Sequence, residues 1–345
     1  MKIVYSDEHR HQDGKSELID GKLMPCFEMP RRAEIILARL KEVRLGQIVA
    51  PEDFGLDPIK RVHNANFVDF LRSAWDLWVM QHGAYDALPL SWLARGMRAI
   101  EPEVIDGKLG YYSFDAGTPI TAGTWRAITA SANVALTGQK MVAAGERAVF
   151  SLCRPPGHHA GSDFYGGYCF FNNAAVAAQA FVDGGARRVA ILDIDYHHGN
   201  GTQEIFYARD DVLTISIHAD PKQEYPFFLG HADETGADRG KGFHLNLPLR
   251  WGAAWDKYGA AMQAAMKKIG DYGPDVIVVS LGVDTFEHDP ISKFMLRHED
   301  YFQIGHLIAK AGKPVLFVME GGYSVQDLGI NAVSVLTSFE QVACQ

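Results

Sequence analysis

The stretch Val189-Ala-Ile-Leu-Asp-Ile-Asp-Tyr-His-His-Gly-Asn-Gly201 decides how this chain folds. Val189 to Leu192 is a short, β-branched apolar run, the pattern of a buried strand. It turns polar abruptly, through Asp193, Asp195, His197, His198 and Asn200. Side chains alternate along a strand, so Asp193, Asp195 and His197 share one parity and can face one side. Gly199 and Gly201 let the chain turn away sharply. A carboxylate and an imidazole two residues apart at a strand's end are well placed to hold a divalent metal. Taken alone, the stretch also allows a plainer reading, with the acids capping the next helix and the histidines bonding locally.

Outward from this stretch, strands and helices alternate. Ile3–Tyr5, Ala148–Leu152, Leu213–His218, Phe243–Leu247, Val276–Val283 and Val315–Met319 read as further strands. Helical stripes fall at Arg31–Val43, Phe67–Trp78, Trp125–Ala144, Asn173–Val182, Ala253–Ile269 and Val325–Phe339. A shorter helix runs through Ile205, and another closes over His306–Ala311. This order predicts an α/β fold, a single-domain parallel sheet with helices on both faces. No internal repeat or linker divides residues 1–345. Two segments break the pattern. Residues 9–30 are polar and irregular, and residues 81–123 show no sustained period, as expected of a lid, a binding loop or an oligomer contact. His63, just before a helix, reads as a structural histidine.

With 47% hydrophobic and 22% charged residues, the chain is composed like a well-buried globular protein. Lys plus Arg number 33 against 42 Asp plus Glu, a formal net charge of -9. No basic run exceeds a pair, which argues against nucleic acid, and mild acidity favours cationic ligands at long range. The N-terminus reaches charged residues too soon for a secretory apolar core. No apolar stretch approaches the roughly 18 residues of a membrane helix. Cys26, Cys153, Cys169 and Cys344 have neither zinc-finger nor redox spacing, so the expected setting is reducing and cytoplasmic.

In such sheets ligands sit outside the carboxyl ends of the strands. The polar residues gather there: His158 and His159 after one strand, Asp195 and His197 after another, Asp284 after a third and Tyr323 after a fourth. Asp195, His197 and Asp284 form the expected ligand set. Three protein ligands leave a position for water, as in catalytic zinc sites. Such a metal would lower the pKa of the water and polarise a carbonyl. His158 and His159 suit acid–base work near neutrality, with Asp193 and Asn200 as orienting partners. Tyr323, after two glycines, is placed to donate to an oxyanion, with a packed ring at a tight turn as the alternative.

Four segments, Arg154-Pro-Pro-Gly-His-His-Ala160, Asp193-Ile-Asp-Tyr-His-His-Gly-Asn-Gly201, Ser280-Leu-Gly-Val-Asp284 and Glu320-Gly-Gly-Tyr323, carry a resemblance. Together they are highly specific, and they span most of the chain. The chain resembles the arginase–deacetylase superfamily, in its zinc-dependent deacetylase branch. The resemblance implies the arginase–deacetylase fold, with Asp195, His197 and Asp284 on one Zn2+, or on Fe2+ or Co2+. It makes His159 the general base and acid, His158 its electrostatic partner backed by Asp193, and Tyr323 the carbonyl-polarising tyrosine. Asn200 stands behind His159 where class I histone deacetylases have Asp, a class II pattern. A structural K+ would take backbone oxygens of Asp193, Asp195 and His197 with the Ser216 hydroxyl. A second monovalent cation is implied around Phe206, Arg209, Val212 and Phe243.

Within the branch the chain is most similar to bacterial acetylpolyamine amidohydrolases, which share the segment containing Glu17 and the long insertion before Gly110-Tyr111-Tyr112. There the inserts form a homodimer contact that narrows the tunnel, and acids at its mouth receive the cationic amine. Glu17 and Asp106 match those acids, and Tyr168 and Tyr225 match the aromatic walls. Asp106 stands where the family has Glu, and Tyr225 where it has Phe, which leaves the amine chain length open. The implied reaction is hydrolysis of an N-acetylated polyamine or diamine to acetate and amine. The other readings are a protein acetyl-lysine deacetylase, a two-metal ureohydrolase, a Cys153–His nucleophile and a non-catalytic sensor on the same fold.

Overall fold

The computed structural model describes residues 1–19 and 21–343, so Cys344 lies outside the described residues. Among the described residues, ten strands and ten α-helices follow in chain order. They are β1 (Lys2–Val4), β2 (Glu17–Ile19), β3 (Lys22–Met24), α1 (Arg31–Glu42), β4 (Gln47–Val49), α2 (Asp57–Lys60) and α3 (Ala65–His82). Then come α4 (Ile105–Tyr112), α5 (Thr124–Ala143), β5 (Ala148–Ser151), α6 (Asn173–Asp183), β6 (Val189–Asp193), α7 (Asn200–Phe206) and β7 (Val212–Ala219). The chain closes with β8 (His244–Leu249), α8 (Trp255–Tyr272), β9 (Val276–Leu281), α9 (His298–Ala309), β10 (Val315–Met319) and α10 (Leu328–Ala343).

Eight strands form one sheet in the order β4-β1-β5-β10-β9-β6-β7-β8, and every described pairing is parallel. Val189, Ala190, Ile191 and Leu192 of β6 are 0% exposed, because helices cover both faces. This explains a continuous apolar run in place of alternation. On one face Ala190 and Leu192 join Phe317, Val279 and helices α1, α8, α9 and α10. On the other Val189 and Ile191 meet α5 and α6 through Ala135, Ala174 and Ala178. Small residues let those helices lie close to the strands. α6 begins where the Asn172 side chain accepts the Ala175 N–H at 2.9 Å, and α8 ends on Gly273 at φ 62°.

The α/β expectation is met, and the main differences lie in the inserts. Residues 9–30 contain the antiparallel β2–β3 hairpin, paired Glu17 to Met24. Residues 81–123 contain α4, whose Ile105, Leu109 and Tyr112 pack with Phe67, Phe70 and Trp78 of α3 in a satellite core. Eight residues with two interior glycines and two tyrosines carry no readable helical period, so tertiary burial makes this helix. β4 was also unread in the sequence, being a three-residue edge strand.

Gly138 shows how tightly α5 rests on the sheet. A Cβ there would lie 2.2 Å from Ser151 Oγ and 2.7 Å from Leu316 Cδ1. Helix propensity favours alanine over glycine by about 1 kcal/mol, but the overlap reverses the sign. Gly138→Ala is expected to destabilise the protein by about 1–3 kcal/mol, the usual range for overpacking, as a lower urea midpoint with unchanged m-value.

Candidate metal centre

The four strands that carry the proposed site residues, β5, β10, β9 and β6, are neighbours in the sheet. Parallel strands end on one edge, so four loops separated in sequence leave it together. Asp195 and His197 lie just past β6, and Asp284 just past β9. His197 Nδ1 stands 3.2 Å from Asp284 Oδ2 and 3.4 Å from Asp195 Oδ1. One ligand atom from each of the three lies within 4.8 Å of the others, and all three residues are buried. The predicted ligands therefore converge.

Backbone donors fix the two carboxylates. Asp195 accepts from the N–H of His197 at 2.9 Å and of Gly321 at 2.8 Å, and Asp284 accepts from Tyr196 N at 2.8 Å. Gly282 and Gly321 admit this approach, since a Cβ at either would lie within 2.5 Å of an Asp195 oxygen. Among the described residues no Lys or Arg pairs with Asp195 or Asp284. Burial and then Asp195 push the Asp284 carboxyl up to about 6. Burial opposes charge on His197, but the two carboxylates outweigh it and push its pKa up to about 10. A proton and a divalent cation thus compete for one space rich in negative charge. Two carboxylates and an imidazole without a paired Lys or Arg fit such a cation.

The loop after β5 brings the histidine pair, with ring centroids 4.0 Å apart. Glu320 Oε2 accepts the N–H of Gly157 at 2.6 Å and of His158 at 3.2 Å. His63 Nδ1 donates to Gly161 O at 2.8 Å and its Nε2 accepts from Asn172 N at 2.9 Å, the structural role expected of it. Gly201 serves close approach as well as turning, since a Cβ there would lie 2.1 Å from Ala160 O. His158 Nδ1 is 2.9 Å from Asp193 Oδ2, and His159 Nδ1 is 2.6 Å from Asn200 Oδ1. Asn200 Nδ2 reaches His159 O at 3.4 Å, which orients the amide so that its oxygen faces the ring.

These partners drive the two histidines apart. Burial works against charge on His158, but Asp195 and Asp193 outweigh it and hold its pKa well above the ordinary value. Burial, then the neighbouring His158 and His197, pushes His159 well below it. His159 is therefore neutral, with its Nδ1–H given to Asn200 and its Nε2 lone pair free to take a proton.

Tyr323 follows β10, with its N–H given to Asp289 Oδ2 at 2.7 Å. The Arg32 guanidinium lies 4.6 Å from its ring centroid and donates to the carbonyls of Glu320 and Gly322 at 2.6 Å each. No described residue hydrogen-bonds the Tyr323 hydroxyl, which is left for a ligand. Tyr168 meets the Tyr323 ring edge-on at 5.6 Å, and Tyr225 meets His159 at 5.2 Å and His197 at 5.9 Å. Tyr168 and Tyr225 are half-buried beside the buried centre.

The two predicted amine acceptors fare differently. Glu17 is 0% exposed, below the surface of the protein. One oxygen accepts Phe27 N at 2.7 Å; the other has no partner, with Tyr168 as neighbour. Asp106 is not brought to the centre by its own chain. It sits in the first turn of α4 and pairs with His82 Nε2 at 2.9 Å and with Gln81, both at the end of α3. The helix that carries it there was invisible in the sequence.

Ser216 is the β7 partner of Asp193, and its hydroxyl bonds His218 Nδ1 at 2.8 Å. Around the second, Phe206 O already accepts from Arg209 N at 2.9 Å and His244 Nε2 at 3.0 Å, and Phe243 O accepts from Thr214 N at 3.1 Å. The Cys153 thiol is buried, pushed up in pKa by that burial, and given to Ser131 O at 3.4 Å, which removes it as a nucleophile. The other metal-competent group among the described residues, His158, Cys169 and Glu320, shares no ligand with the first, so no bridged metal pair is built. Arg32, Asp115 and Asp289 were missed as site residues. They act through backbone groups and neighbouring rings, which no local motif reports. Glu320 was legible only as part of the Glu320-Gly-Gly-Tyr323 segment.

Fold and site together define a deacetylase. The histone deacetylase domain matches residues 26–339, and the chain belongs to that family. It is 60% identical to acetylpolyamine amidohydrolase 2 of Pseudomonas aeruginosa over 342 residues, covering 99% of both chains. It is 48% identical to the acetylpolyamine amidohydrolase of Mycoplana ramosa, covering 97% of this chain and 98% of that one. Among solved structures, the acetylpolyamine aminohydrolase of Burkholderia pseudomallei superposes with a TM-score of 0.95 at 34% identity, covering 99% of each chain.

Burial raises the Glu17 pKa from 4.5 to about 7. The charged form is thus disfavoured in the folded state, so the associated stability is full below about pH 4.5 and is lost as pH rises through about 7. Glu17→Gln is expected to raise the melting temperature at pH 8 by the equivalent of at most about 2–3 kcal/mol, with little gain at pH 5. Thermal melts at the two pH values measure the difference.

Proposed function

We propose that this chain is a metal-dependent amidohydrolase that removes the acetyl group from small N-acetylated polyamines or diamines, releasing acetate and the free amine. The observation that carries the reading is the Asp195–His197–Asp284 cluster beside His159, whose Nδ1 lies 2.6 Å from Asn200 Oδ1. The names of the relatives above supply the substrate class.

Asp195, His197 and Asp284 would hold one divalent ion, Zn2+ in the family pattern. When bound, that ion supplies a water of lowered pKa and a Lewis acid for the amide carbonyl. His159 Nε2 takes the proton of the attacking water and returns it to the departing amine nitrogen. His158, held cationic between Asp193 and Asp195, offsets negative charge that builds at the carbonyl oxygen. The Tyr323 hydroxyl donates to the same oxygen. Glu17, whose uncompensated charge is costly, gains a partner when an ammonium group binds. Potassium near Asp193 and Ser216 would be structural.

The inserts support self-association. Leu90 is 86% exposed, and Leu23, Met97 and Ile100 are each at least 60% exposed, an unusual cost for a surface that meets only water. A homodimer through the inserts would narrow the access to Tyr168 and Tyr225 and favour slim amines over polypeptides.

The test is a panel of acetylputrescine, acetylcadaverine, acetylspermidine and an acetyl-lysine peptide, run on metal-reconstituted protein with its solution mass measured alongside. Higher kcat/KM on the free amines, lost in chelator and restored by Zn2+, is expected; a preference for the peptide would overturn the substrate class. Tyr323→Phe is expected to lower kcat by about 10²–10³, the cost of one oxyanion donor. Normal turnover in that variant would remove Tyr323 from the mechanism.

A further inference from the structure

We infer that Asp115 is a positioning residue that holds both Tyr168 and Tyr225 against the centre, and through them sets which acetylated amines reach His159. The inference rests on the amidohydrolase reading above. Asp115 follows α4 in a segment tied to residues 165–169: Tyr165 N donates to Tyr112 O at 2.7 Å, and Phe114 N to Tyr165 O at 3.1 Å.

One carboxylate there receives four donors. Oδ2 accepts from the Tyr225 hydroxyl and from Gly167 N, each at 2.6 Å. Oδ1 accepts from Gly117 N at 3.1 Å and from the Thr118 hydroxyl at 3.2 Å. The Thr118 oxygen in turn accepts Tyr168 N at 2.9 Å. Gly167 and Tyr168 have φ of 56° and 67°. A tyrosine keeps that left-handed conformation only where its surroundings enforce it. Both N–H groups of this strained turn end on Asp115, directly or through Thr118.

Tyr225 depends on the same group. Tyr225 stacks on Phe114 at 5.8 Å while its hydroxyl is held by Asp115. The gap has no slack, since a Cβ at Gly167 would lie 2.2 Å from His159 and 2.9 Å from the Tyr225 hydroxyl. With both oxygens filled by protein donors, Asp115 acts by geometry and leaves no lone pair aimed at an ammonium group. Asparagine has one acceptor oxygen and cannot serve both pairs of donors. The hydroxyl that Tyr225 carries in place of phenylalanine is what links this ring to the clamp.

The experiment compares wild type with D115N, Y225F, T118V and T118S. It measures kcat/KM for acetylputrescine and for a branched N-acetylamine, together with hydrogen exchange of residues 165–169. D115N should lower kcat/KM for acetylputrescine about tenfold or more, the size of one lost charge-assisted hydrogen bond. The preference over the branched substrate should fall with it. T118V and Y225F should reproduce part of the change, T118S should restore it, and D115N/Y225F should be no worse than D115N. Exchange at Gly167 and Tyr168 should quicken in D115N and T118V. Faster exchange with an unchanged substrate ratio would make Asp115 a structural residue only and overturn the inference, as would additive losses in the double variant. If D115N does not fold, Y225F and T118V carry the same comparison. Wild-type protein inactive on every acetylated amine would overturn the amidohydrolase reading instead, while hydrogen exchange would still decide the clamp.

Discussion

Negative charge withdrawn from water is the constraint on which the rest of this structure depends. Asp193, Asp195, Asp284 and Glu320 all lie at or just beyond the strand ends, each at most 2% exposed. Carboxylates so placed need donors, and the protein supplies them from its own backbone: Gly157, His158, Tyr196, His197 and Gly321 all point N–H groups at them. That demand shapes the loops. It also leaves a surplus of negative charge at the Asp195–His197–Asp284 cluster that a divalent cation is suited to neutralise.

A second buried network holds the loops to one another. Glu28 receives Arg154 through both oxygens, at 2.8 and 2.9 Å, and also Arg32 at 2.9 Å. Arg154 opens the histidine loop, while Arg32 holds the carbonyls that flank Gly321 and packs over Tyr323. The two loops that present acid–base and oxyanion groups are thus joined through one carboxylate on the segment before α1. Removing one member of such a cluster leaves the others charged and unpaired, so its role is to define geometry more than to add net stability.

Electrostatics also divides labour between chemically identical groups. His158 and His159 are neighbours in sequence and touch in space, yet one faces carboxylates and the other an amide. The Asn200 oxygen accepts a hydrogen bond without adding charge, so burial and the neighbouring His158 and His197 disfavour a second proton on His159, while Asp195 and Asp193 stabilise one on His158. The same logic separates the two acids first assigned to amine recognition. Glu17 is buried without a counter-charge, whereas Asp106 already has His82 and Gln81.

Local sequence determined the parallel α/β framework and the identity of the centre. A strand buried on both faces must be continuously apolar, and its polar continuation must lie at the carboxyl edge, so Asp195, His197, Asp284, the histidine pair and Tyr323 were readable from runs of a few residues. Tertiary structure alone decided which strands are neighbours, that Ile105–Tyr112 is a helix, that Glu17 is buried, and that Asp106 pairs with His82 and Gln81. It also decided that Asp115 gathers donors from Tyr225, Gly167, Gly117 and Thr118. The physical reason is range: periodicity and turn chemistry act over a few positions, whereas a hydrogen bond from residue 225 to residue 115 exists only after the sheet has brought those segments together.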